Sequence, residues 1–286
     1  LIRGAWPQAA LFAVTLLSSL AVGKRLSHNF REGQPAIRID PGQWLDFGDL
    51  AAGVPYAAAL LVFFLAHEFG HYFAGKRHGM AVTLPFFVPD PIGFGVAGAW
   101  VRVRSLIDSR RALLDFAVAG PVAGFLALLP FLLLGLRWSK VQPGIAVEGD
   151  LYFGAPLLLS WLTGVYFPNV PQTDIYLHPV ARAAWIGLTA TAMNLLPIGQ
   201  LDGGHIVYAL APKLHKPATW TGLAILIFLG FAYWPWWLLA GAIGIAFRKH
   251  PYIHGDLRAG GPRVALALFS AALLALCFTA APVQYD

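Results

Sequence analysis

Residues 61–75, LVFFLAHEFGHYFAG, place His67, Glu68 and His71 within one turn of an otherwise apolar run. Ionisable groups in such a setting are costly in a bilayer and are usually functional. Helix positions four apart share a face, so both imidazoles can reach one metal ion. Glu68 lies about 100° further round the helix, within reach of a water beside that ion. The residue types and spacing suit metal-assisted hydrolysis. Neutral imidazoles are good zinc ligands, zinc brings a bound water to a pKa near ~7, and a neighbouring carboxylate can act as general base. The plainer alternative is a polar helix end whose histidines hydrogen-bond to other spans.

Two histidines do not complete a catalytic zinc site, which takes a third protein ligand and keeps a further position open. The strongest candidate is Asp202 in MNLLPIGQLDGGHIVYAL, residues 193–210. A helical run ends at Pro197, a Gly-containing turn follows, and Asp202 opens another apolar stretch. A carboxylate there could reach the bilayer interior from a broken helix, where irregular backbone must line protein or a cavity. Asp is also a good helix N-cap. Both readings stay open, and the need for a third ligand favours the metal. His205, just after the turn, could donate to a substrate, support or compete with a ligand, or hydrogen-bond structurally. The single cysteine, Cys277, excludes an intrachain disulfide and a cysteine-based zinc site.

The elements that must position these groups are membrane spans. Of 286 residues, 58% are hydrophobic and 12% charged, against about 25% charged in soluble domains. Mean hydropathy is +0.63. Spans are expected at roughly 7–22, 51–74, 112–136, 179–196, 218–233, 235–247 and 264–281, from apolar runs approaching the ~20 residues a bilayer requires. The last pair before 250 reads as a hairpin turned at YWPWW, whose Trp residues suit an interface. The basic Gly23-Lys24-Arg25 suits a span boundary rather than a cleavage site. Residues 24–50 read as a polar loop. Residues 81–104, rich in Pro, Gly and β-branched residues, read as an extended hairpin or re-entrant segment. The longest loop, 137–178, holds one apolar segment, LYFGAPLLLSWLTGVYF. His78, His215, His250 and His254 fall beside basic residues in apparent loops, where solvated or lipid-facing roles are expected. The net charge of +6 does not call for nucleic acid. With the end of the second span facing the cytoplasm, thirteen Lys and Arg fall inside and seven outside, the bias of cytoplasmic loops.

HEFGH near the end of one span and NLLPIGQLDGGH near the end of a later one resemble the site-2 protease family, intramembrane zinc metalloproteases that pair H-E-x-x-H with an L-D-G motif. The resemblance covers about residues 55–210. It implies one zinc ion per chain held by His67, His71 and Asp202, with Glu68 as catalytic base. It also implies a role for Asn194, which precedes Pro197 as the family's Asn does, as donor to the substrate carbonyl. AVAGPVAGF, residues 117–125, falls where the family has its glycine-proline core span, and Gly120 and Gly124 suit close helix approach. GFGVAGAW, residues 93–100, resembles the hairpin before that span. This implies substrate contacts around Gly93, Gly95 and Gly98; His205, from its own position after the turn, is a further substrate-binding candidate. The 42-residue loop at 137–178 is too short for a further domain, so the chain is similar to the branch without one, which includes chloroplast homologues and their bacterial relatives.

The expectation is therefore an all-α polytopic membrane protein with about six or seven transmembrane helices and a small β-hairpin or re-entrant segment near the active site. It forms a single integral membrane protease domain over 1–286, with its core at 51–210 and peripheral spans at 7–22 and 218–281. Its partners would be a transmembrane protein substrate and the lipid bilayer, with no nucleic acid and the oligomeric state left open. The expected place is a bacterial inner membrane, with the active site toward the cytoplasm. The alternative from another class is a cation transporter using the same His and Asp ligands.

Overall fold

A computed structural model describes residues 5–36, 48–145, 152–247, 250, 253, 261–281 and 283–284. His254 and the basic residues Arg3, Arg38, Arg248, Lys249 and Arg258 lie outside them. The chain is mostly helical. Among the described residues, three helices have the length and composition to cross a membrane: α1 (Trp6–Glu32), α2 (Val54–Arg77, entered through a short turn at Leu50–Gly53) and α3 (Arg110–Trp138). The other helices are α4 (Leu157–Tyr166), α5 (Pro179–Leu195), α6 (Asp202–Leu210), α7 (Pro212–Leu229), α8 (Pro235–Ala242) and α9 (Gly261–Cys277). Large apolar side chains such as Leu17, Leu126, Leu134, Phe228 and Leu268 face outward. Such outward-facing residues suit a lipid solvent. The expected pairing of the short span with its predecessor holds, since α7 and α8 are joined through the YWPWW turn.

The core is the packing of α2, α3 and α5 around Phe63, Leu60, Leu128, Leu132 and Leu188. Small residues set how closely these helices approach. A Cβ on Gly135 of α3 would stand 2.3 Å from the Ala181 amide of α5, and one on Gly70 of α2 would stand 2.5 Å from the Ala119 carbonyl of α3. At the head of α5, His178 accepts from the Val180 amide through Nδ1. Burial pushes its pKa down to about 4, which keeps that lone pair available at neutral pH.

Two expectations are corrected. Residues 24–32 are not loop: α1 runs unbroken through Gly23-Lys24-Arg25 to Glu32 and ends on Gly33, in the left-handed region at φ 66°. Its basic stretch stays helical because Arg25 is buried and employed. His215 is not in a loop either; it is buried within α7 and hydrogen-bonds the Gly199 carbonyl at 2.8 Å.

Arg25 acts on the one sheet that bears on the site. β1 (Phe86–Asp90) and β2 (Gly95–Trp100) form an antiparallel hairpin packed on α1, and a bridge between Val82 and Val103 extends it. The hairpin tip is latched from three directions. Asp90 accepts from the Gly93 and Phe94 amides at 2.9 and 2.8 Å. The Arg25 guanidinium donates to the Ile92 carbonyl. The Tyr56 hydroxyl, at the start of α2, donates to the Phe94 carbonyl at 2.7 Å. At its other end, the hairpin passes beside Glu68 at Val101. Tyr56 and Glu68 are about 18 Å apart along α2 at 1.5 Å per residue, so the hairpin lies alongside the helix at bilayer depth. Backbone there needs internal partners, which the latch supplies.

Removing one latch partner strands a buried carbonyl, a loss of about 1–3 kcal/mol. Tyr56→Phe is therefore expected to speed amide hydrogen exchange over residues 90–96 while metal content stays unchanged. Unaltered protection there would show that the latch does not hold the tip.

Candidate metal centre

His67, Glu68 and His71 lie in the unbroken helix α2 and are buried, at 3%, 3% and 5% exposure. Nothing between Val54 and Arg77 interrupts the helix, so the i, i+4 spacing stacks the two imidazoles on one face. Their Nε2 atoms are 3.1 Å apart. The face is made accessible to α3 by glycine. A Cβ on Gly120 would fall 2.2 Å from His71 Nε2, and one on Gly124 would fall 3.1 Å from His67 Cβ. The neighbouring Phe116 carbonyl of α3 accepts from His71 Nδ1 at 2.8 Å. This fixes the ring's tautomer and leaves Nε2 as a lone-pair donor.

Asp202 reaches the same point from the far side. Its Oδ2 is 3.5 Å from His67 Nε2 and 3.4 Å from His71 Nε2. It is the first residue of α6, whose N-cap is Leu201, so its carboxylate turns to the histidines rather than capping the helix. The backbone that delivers it is unwound between α5 and α6. Gly199 adopts φ 57°, its amide donates to Thr219 Oγ1, and its carbonyl is met by His215. The turn is tight enough that a Cβ on Gly203 would lie 2.0 Å from the Leu195 carbonyl oxygen.

Among the described residues, His67, His71 and Asp202 are the group that could hold a metal ion, with their ligand atoms all within 4.8 Å of one another. Two nitrogens and one oxygen are a donor set that zinc accepts, in the three-ligand form that leaves a further position open. Two buried polar atoms at the site have no hydrogen-bond partner, His67 Nδ1 and Glu68 Oε2. An orphaned carboxylate oxygen is costly when buried, and a neighbouring cation with its water would give it work to do. The site fits zinc.

The remaining expected residues are placed as follows. The Asn194 amide, near the end of α5, lies 3.4 Å from His67 Nε2, directly at the site. His205 lies outside the three-residue cluster and pairs instead with His250, Nδ1 to Nε2 at 2.8 Å. His250 in turn stacks on Tyr208. Gly93 sits in the latched tip, where a Cβ would strike Asp90, and Gly95, at φ 92°, packs its Cα side on Ser19 of α1. Gly98 alone of the three is open, with nothing within 4 Å of a Cβ. Sequence reading missed Arg25 and Tyr56, which hold the hairpin tip. The one signal available was an arginine and a tyrosine placed in apolar spans.

A membrane-depth helix carrying H-E-x-x-H, with a carboxylate delivered by a broken helix, defines the class of intramembrane metallohydrolases. Residues 55–234 match the pattern of peptidase family M50, and the chain belongs to that family, the site-2 proteases. It is 32% identical over 188 residues to a protein of Arabidopsis thaliana described as the probable zinc metalloprotease EGY1, chloroplastic, covering 63% of this chain and 33% of that one. It is 31% identical over 209 residues to the probable zinc metalloprotease EGY2, chloroplastic, of the same plant, covering 72% and 36%. To the probable zinc metallopeptidase EGY3, chloroplastic, also of Arabidopsis thaliana, it is 27% identical over 180 residues, covering 57% and 31%. The chain thus spans about a third of the length of these curated relatives. It is an integral membrane protein. Because these relatives are chloroplastic, the expectation of a bacterial inner membrane gains nothing from them.

The contact between Gly120 and His71 gives a direct check. Gly120→Ala is expected to drop zinc well below one ion per purified chain while helix content is retained. Gly164→Ala, where a Cβ meets nothing within 4 Å, should bind as the parent does. Full zinc occupancy in Gly120→Ala would separate that contact from the metal site.

Proposed function

We propose that this chain is an intramembrane zinc endopeptidase that hydrolyses peptide bonds in or near transmembrane segments of membrane proteins. The observation that carries this reading is the convergence of His67, His71 and Asp202 at 3.1–3.5 Å beside a buried, unpartnered Glu68 oxygen. In this reading His67, His71 and Asp202 hold one zinc ion per chain. When bound, zinc supplies Lewis-acid polarisation of the scissile carbonyl and lowers the pKa of the attacking water.

The chain's own residues do the rest. Glu68 takes a proton from the attacking water and later delivers it to the leaving amine. Asn194, beside His67, donates to the substrate carbonyl as negative charge develops there. The hairpin supplies the substrate's place. A membrane helix hides its peptide bonds in its own hydrogen bonds, so the substrate must unwind before hydrolysis. Its unwound stretch would pair with the outer edge of β2, which carries no strand among the described residues. Strand addition supplies backbone partners without regard to sequence. Because Val101 lies beside Glu68, a strand laid along β2 would pass the base.

The domain organisation belongs to the same proposal. It is a single membrane domain with a catalytic core at 51–210 and peripheral helices on either side. With α5, α7, α8 and α9, which fall at the expected 179–196, 218–233, 235–247 and 264–281, the three long helices would give about six or seven membrane segments. The excess of Lys and Arg beyond Gly75 orients the site toward the cytoplasmic side, and cleavage there would suit regulated release of membrane-tethered proteins.

Glu68→Gln separates proteolysis from transport. The variant should keep one zinc per chain and cleave a model transmembrane substrate roughly 10²–10⁴-fold more slowly, the usual worth of a general base. Undiminished cleavage would refute the assigned base. A metal-dependent flux through Glu68→Gln proteoliposomes, with no cleavage by the parent, would favour a transporter. Gly98→Pro tests the strand by removing the amide of Gly98, where an added side chain meets open space. Zinc should stay bound while cleavage falls up to about tenfold, the worth of one hydrogen bond. Unchanged cleavage would rule out pairing at that position.

A further inference from the structure

Between the hairpin and α5 lies a cavity of about 370 Å³, walled by Phe64 of α2, Val96 and Ala97 of β2, Trp185 and Ala190 of α5, and Trp236 of α8. Three observations give it an occupant. First, the hairpin register jumps from Val88↔Gly98 to Pro89↔Val96, leaving Ala97 as an extra residue without a partner. Pro89 has no amide to donate at that point. Bulges re-aim a side chain beside active sites, and here Ala97, next to the buried Gly95 and Val96, is exposed and lines the cavity. Second, Thr189 lines the cavity, and its buried hydroxyl has no hydrogen-bond partner. Its neighbour Thr191 follows the usual helical habit and donates to the carbonyl four residues back. A stranded hydroxyl on a cavity wall calls for an acceptor brought by a ligand. Third, the cavity continues the proposed strand edge. Phe64 is one helical turn from Glu68, Ala190 is one turn from Asn194, and Ala97 lies four residues along the hairpin from Val101, about 13 Å at strand spacing.

We propose that this cavity is the specificity pocket for one bulky apolar side chain, of the leucine or phenylalanine class, on the unwound substrate segment. The residue it reads lies about four positions from the scissile bond, toward the hairpin tip, by the strand spacing just given. Ala97 and Ala190 leave the room, Trp185 and Trp236 give the apolar walls, and the Thr189 hydroxyl donates to a backbone carbonyl of the added strand. The inference rests on the peptidase reading and goes beyond it by naming which substrate position is selected and by what.

The test uses the full chain in lipid nanodiscs and a panel of transmembrane peptides carrying Gly, Ala, Leu or Phe in turn at each of five positions on either side of the cut. For the parent, preference for Leu and Phe over Gly should concentrate at one position, on one side of the cut. Ala190→Phe fills the pocket. It should lower kcat/KM for the Leu and Phe peptides at that position about tenfold or more, since a methylene in an apolar pocket is worth roughly 10–200-fold. The Gly and Ala peptides should change little. Leu238→Phe, an exposed neighbour on α8, should leave the preference as it is. Zinc content, measured in each variant, reports folding. Equal loss across the panel, or no loss in zinc-loaded Ala190→Phe, overturns the pocket. Competition binding to Glu68→Gln keeps the two claims apart. Size-selective binding without cleavage by the parent would leave the pocket standing and sink the peptidase reading; cleavage without size selectivity would do the reverse.

Discussion

Two imidazoles and a carboxylate meet in a space under 5 Å across, in the interior of a chain whose surroundings are apolar. A carboxylate removed from water is costly unless it is paired, and the two rings offer lone pairs as well as protons. A divalent cation would meet this cost: each of the three groups would become a ligand. Most of the architecture near the site follows from keeping these three atoms together. The helix α2 must be unbroken to stack the rings. The helix α3 must lack side chains at Gly120 and Gly124 to lie against them. The chain between α5 and α6 must unwind so that Asp202 can arrive from the opposite side.

Unwinding and strand formation at bilayer depth raise a second demand, since exposed backbone there has no water to fall back on. The structure answers it side chain by side chain. His215 and Thr219 of α7 take up the carbonyl and amide of Gly199. Arg25, Tyr56 and Asp90 take up the hairpin tip. Among the described residues the outer edge of β2 carries no strand, and Val96 and Ala97 on it border a cavity. Backbone groups that would be a liability elsewhere are, in the proposed function, what a substrate strand would pair with. Val101, just after β2, lies beside Glu68, so in the proposed reaction the base and the substrate strand would share one stretch of chain.

The metal-binding part of this arrangement was largely legible in the sequence, because local spacing decides it. His67 and His71 share a face by helical geometry alone, and the Pro197-to-Gly204 stretch announces a broken helix. Asp202 could not be settled that way: a carboxylate opening a helix reads equally as a cap, and only its distance to α2 distinguishes the two. The hairpin was legible from Pro, Gly and alternation, but its bulge was not, because register depends on which residues meet across the strands. Residues 24–32 were misread as loop. Their charges look solvated until Arg25 is seen to be buried against carbonyls 67 and 68 positions away. His215 was misread for the same reason, its partner being an unwound carbonyl that exists only in the folded chain. Long-range polar partners, then, are what the sequence conceals.

The central claim is that one zinc ion is shared by α2 and the start of α6. Zinc X-ray absorption on the purified chain and on Asp202→Ala tests it most directly. The account predicts one zinc per parent chain, with two imidazole nitrogens and a carboxylate oxygen at about 2.0–2.2 Å, and loss of the ion or of that oxygen in Asp202→Ala. An identical zinc content and coordination sphere in the two proteins would contradict it.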